Sequence, residues 1–128
     1  MELTFNQING LNDVMAELQN KSLPFKLSLI IAKNVGMLTK ATEFFIEQER
    51  KFANEYLVKD DQGNFVQEQE GVFRIVEGKE EECRKAREAL DAFTEEVELK
   101  KIPLSLVENL ELTPKQVGAL EVIINEEE

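Results

Sequence analysis

Between Phe25 and Leu57 an apolar step returns every seven residues: Ile30 with Ile31, Met37 with Leu38, Phe44 with Phe45, and then Phe52 alone. Seven residues are close to two α-helical turns, so these steps stack into one stripe and predict a single long amphipathic helix over 25–57. Lys33, Lys40, Glu43, Glu47, Arg50 and Lys51 form its polar outer side. At a rise of about 1.5 Å per residue the helix is about 50 Å long, more than a compact domain of this size needs for its own core. Part of the stripe must be covered by other segments or by another chain.

The flanking segments are shorter. Leu3 and Phe5 alternate with polar neighbours, which predicts a short strand or extended anchor. Asn6 is the expected cap of a first helix, whose seam is Ile8, Leu11, Met15 and Leu18 with Val14 beside it. Ser22 is placed to cap the long helix, and Pro24 near its start is tolerated because early helical N–H groups have no intrahelical acceptor. Asp60-Asp61-Gln62-Gly63-Asn64 is a turn signal. Phe65-Val66 and Val72 to Val76, around Glu70-Gly71, read as a β-hairpin of open register.

From Lys79 to Glu96 the steps Cys83, Ala86, Leu90, Phe93 and Val97 predict a second helix packed against the long one. Beyond it, Val97 to Leu106 reads as extended, with Pro103 restricting any strand to an edge and Leu3 to Phe5 as a possible pairing partner. Ser105 and Glu108 have capping-box spacing for one helical turn. Thr113, Pro114 and Gln116 repeat that logic for a last helix, with Val117, Leu120 and Ile124 packing inward and Glu126 to Glu128 as a solvated tail.

The expected architecture is α+β, mainly α: a long antiparallel helical hairpin with an intervening β-hairpin and small flanking helices. At 128 residues it is expected to form a single domain, with an N-terminal strand and helix over 1–22, the helix, hairpin and helix over 23–96, and an extended segment with short helices over 97–128.

The order Leu23-Pro24-Phe25-Lys26, Ile31-Ala32-Lys33-Asn34, Lys59-Asp60-Asp61-Gln62-Gly63-Asn64, Glu96-Val97, Ile102-Pro103-Leu104 and Leu112-Thr113-Pro114-Lys115-Gln116 resembles a group of small uncharacterised bacteriophage proteins. The likeness runs over most of the chain from Leu23 onward. Its motifs are caps and turns, so it implies a phage or prophage origin and carries over no catalytic residue.

Chemistry is constrained by what the chain lacks. Without histidine there is no Ser-His or Cys-His pair and no usual zinc-ligand set. Cys83 has Lys79 and Arg87 one turn away on either side, which could activate an exposed thiol, but its place on the apolar seam favours a small core residue. The Asp60 to Asn64 run departs from a calcium loop, since Gly71 would fall where a bidentate Glu is required. Glu43 with Glu47, and Glu77 with Glu80 to Glu82, lie mostly off the apolar stripe, and the latter suit the positive end of a helix dipole. No phosphate-binding glycine pattern occurs.

Charge is uneven. The formal net charge is -11, yet residues 1–42 carry four Lys against three acids, and residues 43–128 carry 11 bases against 23 acids. An acidic field repels phosphate backbones, so no direct nucleic-acid partner is expected. No window approaches the roughly 20 apolar residues of a membrane span, the N-terminus lacks the regions of a signal peptide, and one cysteine suits a reducing cytoplasm. The expectation is a cytoplasmic, non-enzymatic protein with no cofactor and no metal, acting in protein–protein interaction or assembly as a homo-oligomer or on a protein partner. Ile30, Met37, Phe44, Phe45 and Phe52 are its expected interaction surface. The alternative is an acidic, nucleic-acid-mimicking inhibitor of a host defence protein.

Overall fold

The computed structural model describes residues 1–126. In chain order it has strand β1 (Glu2–Thr4), helices α1 (Phe5–Leu18) and α2 (Phe25–Tyr56), strands β2 (Gln67–Gln69) and β3 (Val72–Phe73), helix α3 (Glu80–Ala92), strands β4 (Thr94–Glu96) and β5 (Ile102–Pro103), helix α4 (Pro114–Leu120) and strand β6 (Ile124–Asn125). Turns of 3-10 helix occupy Leu104–Leu106 and Glu121–Ile123. This is a mainly helical α+β protein, and the predicted long helix is present without a break. The chain forms two compact units, Met1–Glu43 with the residues from Thr94 onward, and Phe44–Phe93. Residues 25–43 of α2 belong to the first unit and residues 44–56 to the second.

The first unit holds most of the buried side chains. Thr4, rather than Asn6, caps α1: its hydroxyl accepts from the Gln7 N–H at 3.3 Å and its own N–H donates to the Gln7 side chain at 2.9 Å. The cap lies two residues upstream of the expected one because the extended β1 runs directly into the helix. The seam of Ile8, Leu11, Val14, Met15 and Leu18 is buried throughout. In the same unit α2 buries Leu27, Ile31, Asn34, Leu38 and Ala41, in steps of four, three, four and three. Ser28 N–H donates to the Pro24 carbonyl at 3.0 Å, so the chain turns into α2 at Pro24 and Ser22 lies outside the helix.

Asn34 is the polar member of that seam and is wholly buried. Its side chain donates to the Lys100 carbonyl at 3.0 Å and accepts from the Lys100 N–H at 2.7 Å, pairing with the backbone as a strand would. The Val97 to Leu106 segment is thereby held on α2. Upstream of it, β4 pairs antiparallel with β1, with Leu3 opposite Glu95. Downstream, β5 pairs in parallel with β6 and leaves Pro103 in a two-stranded ladder, where its missing N–H costs little.

Helix α4 is capped as the sequence predicts: the Thr113 hydroxyl accepts from the Gln116 N–H at 3.2 Å, and the Thr113 N–H donates to the Gln116 side chain at 2.7 Å. Leu120 is buried, but Val117 is 53% exposed and Ile123 packs inward ahead of Ile124. The helix tightens to 3-10 geometry after Leu120, which shifts the inward-facing positions. Ser105 sits inside a 3-10 turn that begins after Pro103 and makes no side-chain cap. Glu126 is exposed; Glu127 and Glu128 of the expected tail lie outside the described residues.

The second unit is built differently. Leaving α2, the chain forms three short segments around 56–60, 64–69 and 72–76. Val58 N–H donates to the Arg74 carbonyl, Arg74 N–H to the Val66 carbonyl, and Val66 N–H to the Val58 carbonyl, each at 2.9 Å. These bonds close a cycle of three residues, at successive intervals of eight along the chain, so the expected hairpin gains a third side. The hairpin pairs Gln67 with Phe73 and Gln69 with Val72, with a bulge between. Its two-residue turn uses Gly71 at φ +80°, a conformation open to glycine without strain. Helix α3 returns antiparallel to α2, with Phe93 near Phe44 and Arg87 on Glu49. It stops at Ala92, not Glu96, because Thr94–Glu96 is drawn off to pair with β1.

Candidate interaction surface

The five expected interaction residues have different fates. Each heptad pair on α2 straddles two columns, and in each pair the second residue is the buried one: Ile31, Leu38 and Phe45 are covered, while Ile30 and Phe44 are half-buried and Met37 is exposed. Phe45 is therefore a correction. It is 0% exposed, stacked edge-on against Phe44 at 5.6 Å and Phe93 at 6.0 Å between ring centroids, and offers nothing to a partner. Phe52 is half-buried, with the Arg87 guanidinium 4.8 Å over its ring.

Within the second unit only Phe45 and Cys83 are buried among the described residues. The remaining apolar side chains line two open grooves. One, of about 470 Å³, runs between α2 and α3 and is lined by Phe44, Phe52, Tyr56, Leu90 and Phe93. The other, of about 920 Å³, is lined by Ile46, Phe52 and Leu57 of the α2 side, Phe73 and Ile75 of the hairpin, and Cys83 of α3. Phe52 belongs to both. Ile46, Val72, Phe73 and Phe93 are exposed apolar side chains outside the five expected positions, and Ile46 is 55% exposed. Ile46 follows the pair Phe44-Phe45, and that third consecutive apolar residue was the available signal.

Arg87 holds the two helices of this unit together. It donates twice to Glu49, at 2.6 and 2.8 Å, and once to Asp91 at 3.0 Å. The bond from Arg87 holds the Glu49 carboxyl below its ordinary value, against the opposing effect of burial. On the outer side of α3, Arg84 pairs with Glu81 and Glu88, and on α2 Arg50 pairs with Glu47. The arginine lowers the Glu47 and Glu81 carboxyls in the same way.

Cys83 is buried, and Asp60 closes a turn. Burial pushes the Cys83 thiol up, with Arg87 pulling weakly the other way, so the thiolate needed for nucleophilic or redox work is disfavoured. Asp60 accepts from the Gln62 and Asn64 N–H groups at 2.9 and 3.0 Å and closes a turn on Gly63 at φ +83°. Among the described residues, no group of three or more His, Cys, Asp or Glu side chains is arranged to hold a metal ion. Nor is any helix among them long and apolar enough to cross a membrane. No family model, curated protein or solved structure matches this chain.

Proposed function

We propose that the protein is a non-enzymatic interaction or assembly protein whose second unit docks onto protein, a second copy of the chain in the first place, through the two grooves that share Phe52. The carrying observation is the imbalance of that unit: Phe44–Phe93 buries two side chains while Ile46, Val72, Phe73 and Phe93 stand exposed around open apolar grooves. Contiguous apolar surface of this kind on a small unit marks an interface. The histidine-free composition and the buried, raised thiol of Cys83 support a role without catalysis. The resemblance to small phage proteins supports a phage-type setting in the host cytoplasm.

Sedimentation velocity of the full chain, beside Ile46→Glu and Phe73→Glu variants, tests this. Association that weakens at least tenfold in both exposed-site variants supports the reading. A chain that stays monomeric and captures no protein from its source cells defeats it.

A second reading, an acidic occupant of a nucleic-acid groove on a host protein, draws support from the exposed Glu77, Glu80, Glu81 and Glu82 together with the net charge of -11. It requires binding that DNA displaces and that weakens steeply with salt. Salt-insensitive binding lost on Phe73→Glu favours the apolar reading instead.

A further inference from the structure

The first unit carries two exposed features of opposite character. On α2, the side turned away from the Leu27, Ile31, Leu38 seam presents Phe25 and Leu29, one turn apart and 81% and 42% exposed. Lys26 and Lys33 flank this edge two turns apart, with Lys40 a further two turns on; none of the three has an ion-pair partner among the described residues. At the other end of the sequence, Leu104, Leu110, Val117 and Leu120 line an open groove of about 380 Å³. The charged side chains lining that groove are Glu108, Glu121 and Glu126; among the described residues no cation lines it.

We infer that the acid-rimmed groove of one copy receives the Phe25 and Leu29 edge of α2 from a second copy, with Lys26 and Lys33 meeting the acidic rim. Charge decides the occupant. Most approaches between two chains of net charge -11 are repulsive, and residues 1–42, at four Lys against three acids, are the stretch that can face an acidic rim without like-charge repulsion. Within one copy the edge stays exposed and the groove open, so the contact is intermolecular. Because edge and groove are different patches, the contact is heterologous: it propagates into rings or filaments unless two copies exchange edges reciprocally. This surface lies in the first unit and does not depend on the grooves of the second.

Mixing variants tests the inference. All chains carry Ile46→Glu, which disables the second unit's surface, so failure here is separable from failure of the function proposed above. Phe25→Ala with Leu29→Ala removes the edge, and Val117→Glu blocks the groove; all these side chains are exposed, and unchanged thermal melts confirm folding. In sedimentation velocity the Ile46→Glu parent associates, each variant alone loses association at least tenfold, and their equimolar mixture regains a 1:1 complex through its one intact edge and one intact groove. A chain with Lys26→Glu and Lys33→Glu is likewise deficient and is rescued by a chain with Glu108→Lys and Glu121→Lys. A monomeric parent at the highest soluble concentration, variants that associate like the parent, or a mixture that stays monomeric each overturns the inference.

Discussion

Replacing Asn34 by Ala removes both bonds that hold the Lys100 backbone on α2, at 2.7 and 3.0 Å. Each is worth about 1 kcal/mol net, and a backbone group left dry and unpaired costs about 1–3 kcal/mol more. Asn34 is wholly buried but Lys100 is exposed, so water can reach the freed N–H and carbonyl and the larger penalty is not incurred. The expected loss is about 2 kcal/mol. With an unfolding entropy of about 2.1 cal/mol/K per residue over 128 residues, that lowers Tm by about 7 °C. Asn34→Leu fills the volume without making either bond and is expected to lose a similar amount, which separates bonding from packing. Asn34→Asp keeps the acceptor but sets a second carboxylate oxygen against the Lys100 carbonyl. Burial and that oxygen raise the pKa of the new carboxyl above its ordinary value, so its penalty is complete above the folded pKa and is relieved as pH falls through it. Thermal melts from pH 7 to pH 4 read all three. An Asn34→Ala loss below about 0.5 kcal/mol, or an Asn34→Asp penalty that does not shrink on acidification, refutes the clamp.

Glu49 has its pKa lowered by Arg87, so the pair stabilises the fold above the ordinary value of 4.5 and loses that contribution as pH falls below it. Both side chains are about a third exposed, which limits the effect to about 1 kcal/mol. Urea unfolding should therefore show Glu49→Gln weaker than the parent at pH 7 and equal to it well below pH 4.5. Cys83, buried and with its thiol pushed up, should react with a thiol reagent at neutral pH far more slowly in the native chain than in urea; equal rates contradict its burial. Thr113→Ala should cost about 1 kcal/mol, the worth of a helix cap, read as a shift of the urea midpoint at unchanged slope. In hydrogen exchange, amides of α1 and of α2 residues 27–41 should be better protected than those of α3, and α3 protection should rise with protein concentration if its grooves close on a second copy.

Local chemistry is legible at some self-contained sites and misleading at others: Asn6, Ser22 and Ser105 have cap-like spacing, yet Thr4 caps α1, Ser22 lies outside α2 and Ser105 makes no side-chain cap. The α1 seam, the Thr113 cap with Pro114 behind it, and the Asp60 turn each depend on residues within a few positions of one another. The larger departures rest on a distant segment. The seam predicts α3 as far as Glu96, but the competing partner for Thr94–Glu96 is β1, 90 to 94 residues away along the chain. The role of Asn34 is hidden in the sequence because the groups it bonds belong to Lys100, 66 positions on. One signal for it is present: steps of four and three from Leu27 through Ile31 to Leu38 pass through position 34, and a buried polar residue there demands a hydrogen-bond partner.

The same reasoning explains why the exposed apolar side chains of α2 are only half legible in the sequence. A seven-residue repeat of adjacent apolar pairs defines two columns on α2, and helical periodicity cannot say which of them the rest of the chain will cover. Coverage went to the column of Ile31, Leu38 and Phe45, leaving Ile30, Met37 and Phe44 on the flank. A helix with apolar residues on more faces than its own chain buries is either poorly soluble or matched to another surface. Here the lysines at positions 26, 33 and 40 keep the uncovered side hydrated, and the acid-rimmed groove at Leu104 and Val117 offers a surface of opposite charge. The outer side of α2 is thus described only when its charge is read together with its hydrophobic repeat.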